Sequence, residues 1–239
     1  MRASRGKYTR TTHAFTLLEL LVVVSVIAIL VAILVPTIAM VRSLAKRTEC
    51  ASNMRQIGMA FTAYAGDSDG LALLVYTSGV HQGTYVVNNT NDTDGPWSLL
   101  WKQGFIAVPQ LMYCPATADT NSACKYNTPT NIWPHQPGDF TRSGYCNRPE
   151  KDAGTGSPPL ALPLWSLYVN KAIASDLCST KSMVVYHGHK TGVNVVYGDG
   201  SVKWTQLAAM PAVLTLPSSW STVNNASVDL LWTQYDSNR

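Results

Sequence analysis

A run of twenty-two uncharged residues between Glu19 and Arg42 constrains this chain more than any other feature of its sequence. At about 1.5 Å per residue, a helix of that length measures about 33 Å, which spans the roughly 30 Å hydrocarbon core of a bilayer. The run is longer than the ~7–15 apolar residues of a signal peptide. We therefore predict a transmembrane helix over residues 15–41, with Glu19 near its start and Pro36 near its end.

The basic charge of the chain is concentrated before this helix. The formal net charge is +4, and residues 1–14 carry four basic residues and no acidic one. Outside that segment, 14 basic residues balance 14 acidic ones, so we expect no basic patch for nucleic acid. By the positive-inside rule, the basic segment keeps the N-terminus in the cytoplasm, and the chain after the helix lies across the membrane.

Glu19 places a carboxylate in an otherwise apolar helix. Inside a membrane such a group costs on the order of 2.5–3.5 kcal/mol, and less near an interface. No Lys or Arg lies between Thr11 and Val41 to pair with it. One interpretation is that the carboxylate reaches the lipid headgroups. The other is that cleavage after Ala14 frees an α-amine on Phe15, one helical turn from Glu19, and that this amine pairs with the carboxylate of the same or a neighbouring chain.

The segment AFTLLEL at residues 14–20 resembles the class III leader of type IV pilins and type II secretion pseudopilins. This resemblance implies cleavage by a prepilin peptidase after Ala14, N-methylation of Phe15 and a role for Glu19 in assembly. It also implies an assembly role for Pro36, in a segment that unwinds when subunits pack into a filament. The alternative is a simple proline kink, which membrane helices tolerate. Both interpretations predict a kink or a locally melted turn at residues 32–36.

An amphipathic pattern continues beyond the membrane segment, over residues 42–66. Apolar or small residues recur there at steps of three or four, at Leu44, Thr48, Ala51, Met54, Gly58, Phe61 and Ala65. Asp67, Asp69 and Gly70 predict the end of the helix. One face of this extension must pack on a domain, whereas residues 15–41 must pack against lipid or against copies of the chain.

Residues 67–239 are predicted to form a β-rich domain with long loops. Short β-prone runs are separated by Gly, Pro, Asn and Ser, and they include LALLVY at 71–76, TYVV at 84–87, SMVVY at 182–186 and SVKW at 201–204. The clearest element is GVNVVYGDGSVKW at 192–204, where an Asp-Gly turn joins two alternating runs. The predicted fold class is therefore α+β and pilin-like, with a long N-terminal helix packed on a small antiparallel β-sheet domain.

Two kinds of pattern raise the question of a bound metal ion. His189 followed by Asp199-Gly200 resembles the C-terminal signature of large pseudopilin-like proteins, and His187, His189 and Asp199 offer three ligand groups. Hydrogen-bonded polar residues at a strand end are the alternative. DSDG at 67–70 and DTDG at 92–95 resemble fragments of calcium loops without the closing acidic ligand, which favours turns and leaves calcium open. We expect no resident cofactor or metal.

The five cysteines are Cys50, Cys114, Cys124, Cys146 and Cys178. Their spacing matches no zinc motif, which makes a metal cluster an unfavoured interpretation. In an exported domain, two disulfides with one cysteine left over are expected. The sequence does not fix the pairing, and both a free Cys50 and a Cys50–Cys114 bridge from the helix to the domain stay open.

We predict that the chain is not an enzyme, because it contains no GxSxG, P-loop or HExxH pattern. The resemblance implies a structural subunit of a type IV pilus-like or type II secretion pseudopilus filament, in the bacterial inner membrane with a periplasmic domain, or at the cell surface once assembled. It implies as partners copies of itself or other pilin-like subunits, a prepilin peptidase/methyltransferase, an inner-membrane assembly platform and membrane lipid. The alternatives are a non-polymerising single-pass ectodomain that binds a ligand or polysaccharide, and a secreted enzyme with an unusual signal peptide.

Overall fold

The computed structural model describes residues 16–73, 85–88, 94–118, 124–149, 165–176, 189–216 and 225–239. By its contacts the chain falls into two compact units, residues 1–42 and 43–239. The helices among the described residues are α1 (Leu17–Asp67), α2 (Pro96–Lys102), α3 (Pro115–Ala118), α4 (Ala212–Thr215) and α5 (Asn225–Ser237). The strands are β1 (Val86–Asn88), β2 (Thr141–Arg142), β3 (Tyr145–Asn147), β4 (Ala172–Asp176), β5 (Gly192–Tyr197) and β6 (Val202–Gln206).

The first part of α1 is exposed along its whole length. Every residue from 16 to 42 is exposed, and nearly all of them up to residue 41 are apolar. The hydroxyl groups of this stretch bond to the helix itself, since Ser25 Oγ donates to the Leu21 carbonyl (2.7 Å) and Thr37 Oγ1 to the Leu34 carbonyl (2.8 Å). The helix is long and apolar enough to cross a membrane, by length and composition. The predicted long apolar N-terminal helix is confirmed.

Pro36 lies inside α1, and the helix continues through it. A proline has no N–H to donate to the carbonyl four residues earlier, here that of Ala32. The loss is confined to one bond, and the residues on either side of Pro36 keep their helical conformation. Of the two predicted outcomes, the structure does not show a melted turn at residues 32–36, and a kink at Pro36 stays a prediction.

The second part of α1 packs against the rest of the domain by one face. Its buried residues are Cys50, Met54, Ile57, Gly58, Ala60, Phe61 and Ala65. The predicted face is correct from Met54 onward, whereas Leu44 and Thr48 are exposed. In the turn that contains Leu44 and Thr48, Arg47 contacts the domain instead of these two residues. Its guanidinium lies 4.0 Å from the centroid of the Trp204 ring.

The end of α1 agrees with the predicted stop. The helix ends at Asp67, and the chain reverses through Asp69 and Gly70, whose φ angles of 52° and 77° lie in the left-handed region. The Gly70 N–H donates to the Ala65 carbonyl (2.8 Å), a bond that closes the last turn of a helix. Aspartate and glycine are the residue types that accept this conformation most readily.

A four-stranded antiparallel sheet with the order β3-β4-β5-β6 lies at the centre of the domain. The β5–β6 hairpin is the one predicted from sequence, with Val196 opposite Val202 and Gly200 at φ 82° in the turn. A smaller sheet pairs β1 with β2, and β1 overlaps the predicted strand at 84–87. The predicted strand at 182–186 lies outside the described residues.

Both faces of strand β5 are buried. Val196 belongs to a core cluster that includes the buried face of α1. Val193, Val195 and Tyr197 belong to a second cluster, which includes residues of α4 and α5. Alternate residues of β5 therefore belong to two different core clusters, one on each face of the sheet. The sheet forms the middle layer between α1 and the C-terminal helices.

Helix α5 is the largest element that the sequence analysis did not predict. Val228, Leu231, Trp232 and Tyr235 are its buried residues, and their spacing of three, four and seven is a helical pattern. Asp236 joins the helix to the sheet: its carboxylate accepts hydrogen bonds from the Arg148 guanidinium (2.9 and 3.0 Å) and from the Ala172 N–H (2.8 Å).

Gly58 allows α1 to approach the sheet closely. A Cβ atom at this position would lie 2.8 Å from Cγ2 of Val196 and 3.6 Å from the Cα of Gly200. Val196 is fully buried, so its short side chain has little freedom to move aside. Gly66, one residue before the end of the same helix, offers a contrast, because a Cβ there would meet no described atom within 4 Å.

We predict opposite effects of Gly58→Ala and Gly66→Ala on the free energy of unfolding. In an open helical position, alanine stabilises by about 0.5–1 kcal/mol relative to glycine, and this gain is expected for Gly66→Ala. For Gly58→Ala the overlap with Val196 costs about 1–3 kcal/mol, which exceeds the gain. Denaturant midpoints of the full chain in detergent, followed by tryptophan fluorescence, measure both. Equal stabilisation by the two variants would contradict the close approach.

Candidate assembly segment and buried Cys-His-Asp cluster

The N-terminus of α1 is closed by reciprocal hydrogen bonds between Thr16 and Glu19. The Glu19 carboxylate accepts from the Thr16 N–H and from its hydroxyl, both at 2.9 Å, and the Glu19 N–H donates to Thr16 Oγ1 at 3.2 Å. This arrangement is a capping box, which satisfies N–H groups that have no partner within the helix. It also brings a negative charge to the positive end of the helix dipole.

The capping box gives Glu19 a local role that the sequence analysis missed. The signal was present, because Thr-x-x-Glu directly before an apolar run is the sequence signature of this cap. Ala14 and Phe15 lie outside the described residues. Phe15 nevertheless directly precedes Thr16, so a free amine on Phe15 would lie next in the chain to an N–H that already contacts the Glu19 carboxylate. The cap and the predicted amine pair therefore involve the same carboxylate.

The structure does not bring His189 and Asp199 together. His189 precedes strand β5 and Asp199 follows it, and the strand between them is about 20 Å long at roughly 3.4 Å per residue. His187, the third residue of the suggested set, lies outside the described residues. The spacing of the His-Asp-Gly pattern thus corresponds to one strand with its two ends and not to a shared metal site.

Asp199 and Gly200 form the turn between β5 and β6. Asp199 Oδ1 accepts from the N–H (2.9 Å) and the hydroxyl (2.7 Å) of Ser201, and its carboxylate also contacts the Arg239 guanidinium. The hydrogen bond from the Ser201 hydroxyl is the main reason that the pKa of Asp199 is lowered. These contacts assign Asp199 to the stabilisation of the hairpin.

The two calcium-like segments have other contacts. Asp67 and Asp69 lie at the end of α1, as described above. Asp94 accepts from Lys102 Nζ (2.8 Å to each carboxylate oxygen) and from the Ser98 hydroxyl (2.6 Å), which brings its carboxylate against α2. Asp92 lies outside the described residues, and the question of calcium at these segments stays open.

The disulfide in the structure is Cys50–Cys114, one of the two possibilities left open by the sequence. It joins α1 to the segment after a 3-10 helix at Pro109–Met112, across a sequence separation of 64 residues. In the chain-entropy model, closing a loop of that size stabilises the folded state by about 4 kcal/mol.

No second disulfide is present among the described residues, which exclude Cys178. Cys124 and Cys146 are buried in the cluster that contains α5, and burial raises the pKa of the Cys124 thiol to about 12.

A polar cluster surrounds this disulfide in the interior of the domain. Nε2 of His189 lies 3.5 Å from Sγ of Cys114 and 3.6 Å from Oδ2 of Asp176. The ligand atoms of Cys50, Cys114, Asp176 and His189 all lie within 4.8 Å of one another, and all four residues are buried. We refer to these four residues as the Cys-His-Asp cluster.

Burial controls the charges in the Cys-His-Asp cluster. It lowers the pKa of His189 to about 4, assisted by the positive charges of Arg47 and Lys46, and it raises the pKa of Asp176 to about 7. His189 is consequently neutral at neutral pH, and its contact with Asp176 is not an ion pair. Oδ2 of Asp176 accepts from the Asn194 N–H (2.6 Å), whereas Oδ1 has no hydrogen-bond partner among the described residues.

Packing around His189 fixes its position in the cluster. Its ring contacts the Trp204 ring edge to face, with 5.4 Å between the centroids. The Arg47 guanidinium lies over the Trp204 ring in a cation–π contact. The sequence analysis singled out His189 and the Cys50–Cys114 pair separately, and it did not consider Asp176. While the sulfurs form a disulfide, neither offers a thiolate nucleophile, so the cluster in this form is structural.

Comparison with known proteins identifies one part of the chain. The family model for the prokaryotic N-terminal methylation motif matches residues 9–35, which include Ala14, Phe15 and Glu19. No curated protein and no solved structure shows a significant match. The chain thus carries the prokaryotic N-terminal methylation motif on a long apolar helix followed by an α+β domain, an architecture consistent with a type IV pilin- or pseudopilin-like protein.

Proposed function

We propose that this chain is a structural subunit of a type IV pilus-like or type II secretion pseudopilus filament. The observation that carries the proposal is the methylation motif placed on a helix whose apolar side chains are all exposed over residues 16–42. An apolar surface of this length needs lipid or protein to cover it. Within a filament, the same helices of other subunits supply that cover, and van der Waals packing between them replaces packing against lipid tails.

The subunit is made as a precursor with a basic leader at residues 1–14. A prepilin peptidase removes the leader after Ala14, and methylation follows on the nitrogen of Phe15. Until assembly, residues 15–41 span the inner membrane with the N-terminus in the cytoplasm. The helix extension at 42–66 and the domain at 67–239 lie in the periplasm and contact other subunits or the assembly platform.

Glu19 selects the register of assembly in this proposal. Its carboxylate caps its own helix before cleavage. After cleavage, the amine of Phe15 on a neighbouring subunit competes for it, because a full positive charge in a low-dielectric environment binds a carboxylate more strongly than a neutral N–H does. A buried pair of charges is favourable only in good geometry, so helices that are out of register are disfavoured.

Pro36 gives the helix a place to change length during assembly. The carbonyl of Ala32 receives no helical hydrogen bond from position 36, so fewer bonds need to break there than elsewhere in α1. We propose that the turn at residues 32–36 unwinds when subunits pack, and that it is helical before that.

The N-terminus of the mature protein tests the proposed processing. We expect the native polypeptide to begin at Phe15 and to carry one additional methyl group, by intact mass and N-terminal sequencing. In Ala14→Trp, a bulky residue replaces the small one at the cleavage site, and the leader should be retained. A native chain that keeps Met1 would indicate a non-polymerising membrane-anchored ectodomain, and one that begins after residue 36 would indicate a secreted protein. Either result contradicts the proposal.

Substitutions of Glu19 separate its cap from its charge. Glutamine preserves the capping box but cannot pair with an amine as an ion, whereas alanine removes both functions. We expect Glu19→Gln and Glu19→Ala to be cleaved nearly as wild type and to yield few filaments, because both lack the charge. Sheared filaments counted by electron microscopy and immunoblotting provide the measurement.

Glu49→Gln is the matched control, since Glu49 is an exposed glutamate of the same helix, outside the apolar segment. It should assemble normally. If Glu19→Gln also assembles normally while Glu19→Ala does not, the cap and not the charge pair is the required function.

A further inference from the structure

The Cys-His-Asp cluster brings together four ligand-type side chains from four separate parts of the domain. Cys50 comes from α1, Cys114 follows the 3-10 helix at Pro109–Met112, Asp176 ends β4 and His189 precedes β5. Their exposed fractions are 0%, 0%, 1% and 8%. Two sulfurs, an imidazole and a carboxylate that face one another in an interior have the composition of a zinc site, in which Cys, His and Asp are the usual ligands.

The spacing of these groups fits a tetrahedral ion. Bonds of about 2.0–2.3 Å from zinc to N, O and S ligands give a tetrahedron with edges of about 3.3–3.8 Å. The separations of His189 Nε2 from Cys114 Sγ (3.5 Å) and from Asp176 Oδ2 (3.6 Å) fall within that range. The two sulfurs lie closer together because they are covalently bonded in this structure, and all four ligand atoms lie within 4.8 Å of one another.

A second observation concerns the carboxylate of Asp176 itself. Oδ1 of Asp176 is buried and has no hydrogen-bond partner among the described residues. An unsatisfied buried carboxylate oxygen costs free energy, and such groups in native proteins require an explanation. A cation bound at Asp176 would supply the missing interaction for this carboxylate.

We propose that, when the Cys50–Cys114 disulfide is reduced, the cluster binds one Zn²⁺ ion through both sulfurs, His189 Nε2 and the carboxylate of Asp176. A protein dithiol gives two electrons and two protons to the disulfide, which becomes two thiols while the dithiol becomes a disulfide. Zinc binding then displaces the two thiol protons. Separation of the sulfurs to the edge of a tetrahedron makes room for the ion.

The proposed site connects α1 to the domain in both redox states. In the oxidised state the connection is the Cys50–Cys114 bond, and in the reduced state it is the shared metal ion. The donor set of two thiolates and one imidazole favours zinc over calcium or magnesium, which prefer oxygen ligands. This inference differs from the sequence-based expectation of no metal cluster, because the four ligands become neighbours only through the tertiary fold.

A cobalt titration of the full chain tests the site. The protein is purified in detergent with a phosphine reductant and without oxygen, and thiol labelling verifies that the disulfide is open. We expect one Co²⁺ to bind per chain with release of two protons, giving the absorption of tetrahedral cobalt and a thiolate-to-metal charge-transfer band. One Zn²⁺ should then displace the Co²⁺ without further proton release. The oxidised chain should show none of these bands.

Variants assign the binding to the cluster. Cys114→Ser should abolish the charge-transfer band, while His189→Ala and Asp176→Asn should weaken Co²⁺ binding about tenfold or more. Cys146→Ser and His135→Ala are the matched controls, because they remove a cysteine and a histidine outside the cluster, and they should bind as wild type. Near-UV circular dichroism verifies that each variant is folded.

Two results would overturn the proposal. One is a reduced wild-type chain that takes up no Co²⁺. The other is binding that Asp176→Asn and His189→Ala leave unchanged, which would assign the metal to other thiols. If Cys114→Ser fails to fold, the wild-type stoichiometry and the nearly isosteric Asp176→Asn variant decide the question.

Discussion

The apolar surface of residues 16–42 is the constraint on which the rest of this protein depends. Its side chains are exposed from end to end, so the segment is stable only where lipid or protein covers it. Because α1 is continuous from Leu17 to Asp67, the same helix that requires this cover also contributes one face to the core of the domain. The first part of α1 is apolar on all sides and needs cover all round, whereas the second part is apolar on one side and packs on the domain by that side.

The domain packs against the second part of α1 through a layered core. Strand β5 contributes Val196 to the cluster that contains α1, and it contributes Val193, Val195 and Tyr197 to the cluster that contains α5. Gly58 lets the helix approach the sheet, and the Cys50–Cys114 bond connects the helix covalently to the segment after the 3-10 helix at Pro109–Met112. The hairpin turn at Asp199-Gly200 and the buried His189 stand at the two ends of β5, so the residues of the His-Asp-Gly pattern have separate structural roles.

Local patterns in the sequence predicted the elements that depend on local chemistry. The extent of α1, its end at Asp67 and the β5–β6 hairpin follow from periodicity and turn residues, and the structure confirms them. The helical spacing in α5 and the Thr-x-x-Glu cap were present in the sequence but were not recognised. The Cys-His-Asp cluster could not be predicted in this way, because His189 and Cys114 are 75 residues apart and meet only after the sheet and α1 have packed.

The capping box at Thr16 and Glu19 has a consequence for maturation. The helix begins at Leu17 in the uncleaved chain, and both residues of the capping box lie after the proposed cleavage site. Proteolysis at the proposed bond would therefore keep both capping residues and add a positive charge at the new N-terminus. In the proposed filament subunit, the precursor would lack only the terminal cation that pairs with Glu19, and hydrolysis of one peptide bond would supply it.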